Sequence, residues 1–157
     1  VITFKGSLSV HFNGEEIRLL HLGAGHTDGD VIIWFTESNV VHMGDQFFNG
    51  RFPYIDLGSG GRVAGYQKNV ETVLNNLPGG ALIIPGHGAL AEKQDLQAFA
   101  VMLKDTINPV RQSISLNKTL DQIKAAGVPE KYKTWGVGFI NTSRWLEIVY
   151  NSLTSEP

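Results

Sequence analysis

The order of periodicities along the chain predicts a layered α/β domain, strands first and helices after. Three observations carry this. Apolar positions alternate with a period of two around an Asn-Gly pair, a continuous apolar run follows, and three- and four-residue apolar spacing begins at residue 63. Taken in order, Leu8, Val10 and Phe12 alternate with polar residues, and Asn13-Gly14 supplies a hairpin turn. The return strand, 15–22, places Ile17, Leu19 and His21 on one face and Arg18 and Leu20 on the other. A glycine-rich loop, 23–30, interrupts it, and the apolar run 31–35 has the pattern of a strand covered on both faces. Ser38-Asn39 is a turn, 40–43 a short strand, and 44–61 irregular and aromatic. Val63, Tyr66, Val70, Val73, Leu74 and Leu77 mark a helix that Pro78-Gly79-Gly80 ends. Residues 81–84 form a buried strand that stops at Pro85. Helices are expected over 93–115, with a kink before Pro109, over 119–126, and over 143–153.

Composition bounds the function. The chain has 157 residues, one domain's worth, and its hydrophobic fraction of 42% excludes intrinsic disorder. Thirteen Lys and Arg stand against 15 Asp and Glu, so no basic excess invites nucleic acid or an anionic membrane. There is no cysteine, which excludes disulfides, thiol catalysis and thiolate metal ligands. No apolar run approaches the roughly 18 residues of a membrane span. Residues 1–5 carry neither a basic segment nor a long apolar one, so no signal peptide is read there, and the chain is expected to be a piece of a longer protein. The cytoplasm and the periplasm both remain open as its location.

Three loops, each after an apolar strand, carry metal-competent side chains: Gly25-His26-Thr27-Asp28-Gly29-Asp30, Met43-Gly44-Asp45, and Pro85-Gly86-His87-Gly88. Residues at strand ends of α/β sheets converge on one edge, where ligands bind. Imidazole and carboxylate together suit zinc, iron or manganese. Each motif alone has an ordinary reading: a loop histidine for His26, a turn or helix cap for Asp45, a glycine-flanked loop for His87. Their joint occurrence at strand ends favours a metal site. His11, His21 and His42 sit within strands and read as packing or supporting groups. Asp28 and Asp30 either hydrogen-bond ligand imidazoles or cap the next strand. Phe47, Phe48, Phe52 and Tyr54 are either local core or a substrate-facing wall.

At these motifs the sequence resembles the metallo-β-lactamase superfamily. Its segments match the family's G-H-T-x-G-[SD], strand-ending G-D, and P-G-H-G, in order and at the family's usual separations. The resemblance implies half of the family's αββα sandwich: a mixed sheet with helices on one side, with strands and site loops over 1–62 and helices over 63–157. It implies that His26 and His87 each ligate one metal and that Asp45 bridges two. The cofactor would be two zinc ions (iron or manganese also suits), activating a bridging hydroxide that attacks a small ester, thioester or lactam-like substrate. Asp45 also excludes the lactamase subclass with cysteine at that position.

The departure is equally informative. The family's H-x-H-x-D-H motif is missing, since no two of the five histidines lie two residues apart. The chain is therefore expected to be the C-terminal half of the fold, weak in metal binding and inactive alone. It would be completed by an N-terminal half or a second chain, or else associate with itself. The alternative is a non-catalytic half-domain or assembly module that binds a second polypeptide.

Overall fold

The computed structural model describes residues 2–155. One five-stranded sheet has the order β1-β2-β3-β4-β5, with β1 at Ser7–Phe12, β2 at Glu15–Leu20, β3 at Ile32–Phe35, β4 at Val40–Phe48 and β5 at Leu82–His87. The first four strands form an antiparallel meander, and β5 adds in parallel to β4. Parallel addition requires a crossover, and α1 (Val63–Asn76) provides it. Helices α2 (Lys93–Ser115), α3 (Leu120–Ala126) and α4 (Thr142–Ser155) complete the layer. The sheet is thus mixed, as expected. Among the described residues no helix is long and apolar enough to cross a membrane.

Local chemistry explains the boundaries. Asn13 and Gly14 both take positive φ, 52° and 78°, which the two-residue hairpin turn requires. Helix α2 opens on a reciprocal capping box between Glu92 and Asp95, and α3 on one between Thr119 and Gln122. Pro109 lies inside α2, which continues to Ser115 as one element. The first N–H of α1 is capped from α4, where the buried Ser152 hydroxyl accepts from Val63 N at 3.0 Å.

The core lies between one sheet face and the helices. Ile32, Val41, Met43 and Ile83 meet Tyr66, Val70, Phe99, Leu103 and Trp145, all nearly or fully buried. Trp145 sits at its centre, donating its indole N–H to the Thr106 hydroxyl at 3.0 Å. The opposite sheet face follows from the register. Val10, Ile17, Phe35 and Val40 align across β1 to β4, and Leu19, Ile33, His42 and Ile84 align across β2 to β5. None of these side chains is fully buried. The expectation that β3 is covered on both faces is therefore corrected: Ile32 is buried, but Ile33 and Phe35 face the open side.

Two strands outrun their expected ends. β4 continues past Met43 to Phe48, because Gly44 adopts φ 52° and the pairing shifts register there instead of stopping. β5 continues past Pro85 to His87. It is the sheet's edge strand, where a missing N–H costs no ladder bond. A run of 3-10 helix at Glu130–Val137 was not expected, and neither was a short one at Leu57–Ser59.

Candidate functional site

The extra length of β4 and β5 carries Asp45 and His87 side by side to the sheet's rim. The loop after β2 brings His26 to the same place. One Asp45 carboxylate oxygen lies 3.5 Å from His26 Nε2 and the other 3.4 Å from His87 Nε2. The three residues named from sequence are thus together. They do not form one closed cage: among the described residues no group of three or more His, Asp or Glu is gathered as a site for a metal ion. The arrangement is a carboxylate shared between two imidazoles, one per oxygen.

Hydrogen bonding fixes His26. Its Nδ1 is 2.8 Å from the Tyr54 carbonyl, which can only accept, so Nδ1 carries the proton. In the neutral ring Nε2 is then a lone pair facing a carboxylate oxygen. Two acceptors so placed need a proton or a cation between them, which is how ligand histidines are commonly oriented. The His26 backbone carbonyl accepts from Asp56 N at 2.8 Å, and Gly25 O from Arg62 N at 2.9 Å. A Cβ at Gly61 would lie 2.7 Å from Asp56 O and run into His26 O, so only glycine lets segment 56–62 press this close.

His87 is held by its ring and its strand. It stacks on Phe48, with centroids 4.6 Å apart and 21° between planes, and its carbonyl accepts from Asn49 N at 2.8 Å. Its side chain remains half-exposed, whereas that of His26 is mostly covered. At Gly86 a Cβ would meet Asp45 Oδ1, so that glycine is what allows the carboxylate to lie against β5.

The other candidates separate cleanly. Asp30 hydrogen-bonds neither His26 nor His87 through its carboxylate, which accepts from Thr27 N at 2.7 Å, Thr27 Oγ1 at 3.0 Å and Gln46 Nε2 at 2.6 Å and so ties the His26 loop to β4. The Asp28 backbone N–H donates to Ser59 O at 3.0 Å. His21 donates to Asp30 O and His42 accepts from Gly44 N, so both are supporting groups, as read. The aromatic loop divides. Phe47 belongs to the core alone, whereas Phe48 and Phe52, also buried, join Tyr54 in walling a recess of about 200 Å³ that opens on Asp45 and His87. Phe139 and Arg51 also line it, and neither was anticipated. Gln46 escaped the sequence reading too, having no signature beyond its position after Asp45. Behind the rim, Tyr66 OH and Gln46 Oε1 are buried without a protein partner. Burial pushes the Tyr66 phenol well above its ordinary value, and the charges of Asp45 and Asp30 add to this.

Comparison with known proteins agrees with this architecture. Residues 1–95 of the 157 match the profile of the metallo-beta-lactamase superfamily. A metallo-beta-lactamase type 2 of Bacteroides fragilis is 26% identical over 85 residues, covering 54% of this chain and 34% of that protein. Among solved structures, a metallo-beta-lactamase from Pontibacter korlensis superposes with a TM-score of 0.57 at 14% identity, covering 66% of this chain and 48% of that one. The sec-alkylsulfatase Pisa1 from Pseudomonas sp. superposes with a TM-score of 0.71 at 15% identity, covering 96% of this chain and 26% of that one. The chain thus spans about a third of its curated relative, with a 34% share. The structural likenesses establish the shared fold.

Proposed function

The chain belongs to the metallo-beta-lactamase superfamily, and from that premise we propose that the β4–β5 rim is one part of a dinuclear zinc site in a hydrolase. The substrates would be small ester-, thioester- or lactam-like molecules. The supporting observation is the single carboxylate of Asp45 presenting one oxygen to each of two imidazoles, at 3.4 and 3.5 Å. The donor set fits borderline metals such as zinc, and His26 is already in the tautomer that leaves Nε2 free to ligate.

In this reading His26 would hold one ion, His87 the other, and Asp45 would contribute to both, with iron or manganese suited to the same donors. Such ions, when bound, bring the pKa of a coordinated water towards neutrality. Everything else falls to the chain's own groups. The Tyr54 carbonyl keeps His26 in register, Phe48 keeps the His87 ring in plane, and the aromatic recess holds the substrate body and excludes water. Three donors divided between two ions leave each with at most two, short of the three protein ligands of a catalytic zinc. The rest would come from outside these 157 residues.

Zinc titration of the chain, followed calorimetrically, tests this. Alanine at His26 or His87, or asparagine at Asp45, should weaken binding at least about tenfold, while alanine at His11 should not. Equal affinity in all four variants would overturn the reading. A second role, as an assembly module, is favoured by the open apolar sheet face; a chain indifferent to zinc that sediments as a stable dimer would support that role over the first.

A further inference from the structure

We propose, resting on the hydrolase reading above, that the recess selects an amphiphilic carboxylate: a substrate whose apolar body lies against Phe48, Tyr54 and Phe139 and whose anionic group meets Arg51. The argument begins with how arginines are used in this chain. There are five. Arg18 and Arg144 pair with Glu16 and Glu147, Arg111 donates to Asn108, and Arg62 to the Gly61 carbonyl. Among the described residues Arg51 alone has no side-chain hydrogen bond or ion pair, and it stands at the recess. The one acid lining the recess, Asp45, is already faced by two imidazoles.

The base of Arg51 is held in place. Gly50 turns the chain at φ 72°. The next residue, Phe52, is buried, donates its N–H to Trp135 O at 3.1 Å and stacks on Trp145 with 9° between ring planes. The guanidinium therefore projects from a fixed point while its head stays free, as an anion-recognising arginine requires. Phe139, which also lines the recess, is 90% exposed and meets Tyr54 edge-on at 6.3 Å. An aromatic ring so bare gains most from an apolar group laid over it. About 200 Å³ is less than the roughly 300–1,000 Å³ of drug-sized pockets, which suits a small acyl body. A single cation beside aromatics, in a chain of net charge −2, does not suit a polyanion.

Binding of phenylacetate and of its neutral counterpart phenylacetamide to the 157-residue chain, with a chelator present, separates the charge contribution from any metal. Phenylacetate should bind more tightly than the amide. Arg51→Gln should weaken phenylacetate about tenfold or more and leave the amide unchanged, with Arg51→Lys in between. Phe139→Ala should weaken both. Equal binding of the two probes by the native chain, or phenylacetate binding that survives Arg51→Gln, would overturn the proposal. Either failure with zinc binding intact would sink the substrate class alone. Arg51-dependent binding in a chain that ignores zinc would sink the metal reading alone.

Discussion

Alanine at position 86 tests whether the rim depends on the close approach of β4 and β5. Gly86 does not have positive φ, so the substitution carries no left-handed backbone penalty; what changes is space. The new Cβ would run into Asp45 Oδ1 and lie 2.7 Å from both the carbonyl carbon and oxygen of Gly44. The carboxylate can swing away, but the Gly44 backbone cannot move without opening its pairing with Pro85. Overpacking of this kind costs about 1–3 kcal/mol. For a chain of this length that is a fall in Tm of about 2–12 °C. Gly79 is the matched control: it too lacks positive φ, and a Cβ there meets nothing within 4 Å. Alanine at 79 should therefore stabilise by about 0.4–1 kcal/mol through the unfolded state. Urea denaturation of the two variants should separate them by roughly 1.5–4 kcal/mol. Zinc affinity should fall about 10–100-fold in Gly86→Ala only, because its carboxylate has been displaced. Equal stability of the two variants would refute the steric reasoning. Lost stability with zinc affinity unchanged would refute its transmission to Asp45.

Two further predictions concern the supports of the site. The Asp56 carboxyl is held below its ordinary value chiefly by the Ser59 hydroxyl, with help from the backbone N–H groups of Ser59 and Gly58 and the charge of His26. A depressed folded value means that the native state binds fewer protons, so this stabilisation is complete above about pH 4 and fades as pH falls through the folded value. Denaturant midpoints measured against pH should drop more steeply below about pH 4 in the native chain than in Asp56→Asn; parallel curves would contradict this. The Tyr66 hydroxyl is buried without a protein partner, so Tyr66→Phe should raise stability by about 1 kcal/mol or more. A loss of stability in thermal unfolding would show that the hydroxyl is hydrogen-bonded after all.

Legibility in the sequence followed the range of the interactions. The hairpin at Asn13-Gly14 and helix α2 over Lys93–Ser115 are written in local chemistry, in turn residues and apolar spacing, and match expectation. The ends of β4 and β5 are not local. Gly44 and Pro85 look like stops until the neighbouring strand is known: one proves to be a register shift, the other an edge position. The coverage of β3 likewise depends on what lies across the sheet. At the rim, the glycine-flanked motifs pointed to His26, Asp45 and His87, and the fold brings these three side chains together. What orients them was hidden, since the Tyr54 carbonyl and the Asp56 N–H are backbone groups that any residue supplies. Which of Phe47, Phe48, Phe52 and Tyr54 reach the recess is a matter of register, which alternation through an irregular stretch does not reveal.

The site also straddles the one distant joint in the sheet. Strands β1 to β4 pair with sequence neighbours, whereas β5 reaches β4 only after α1 has crossed over. Pairings between distant segments close slowly, because the loop entropy must be met before any contact is made. A chain with only its meander formed would hold His26 and Asp45 but not the imidazole at 87. Any ion that both β4 and β5 gripped would act as a rivet across that seam, so its binding and the completion of the fold would be thermodynamically coupled.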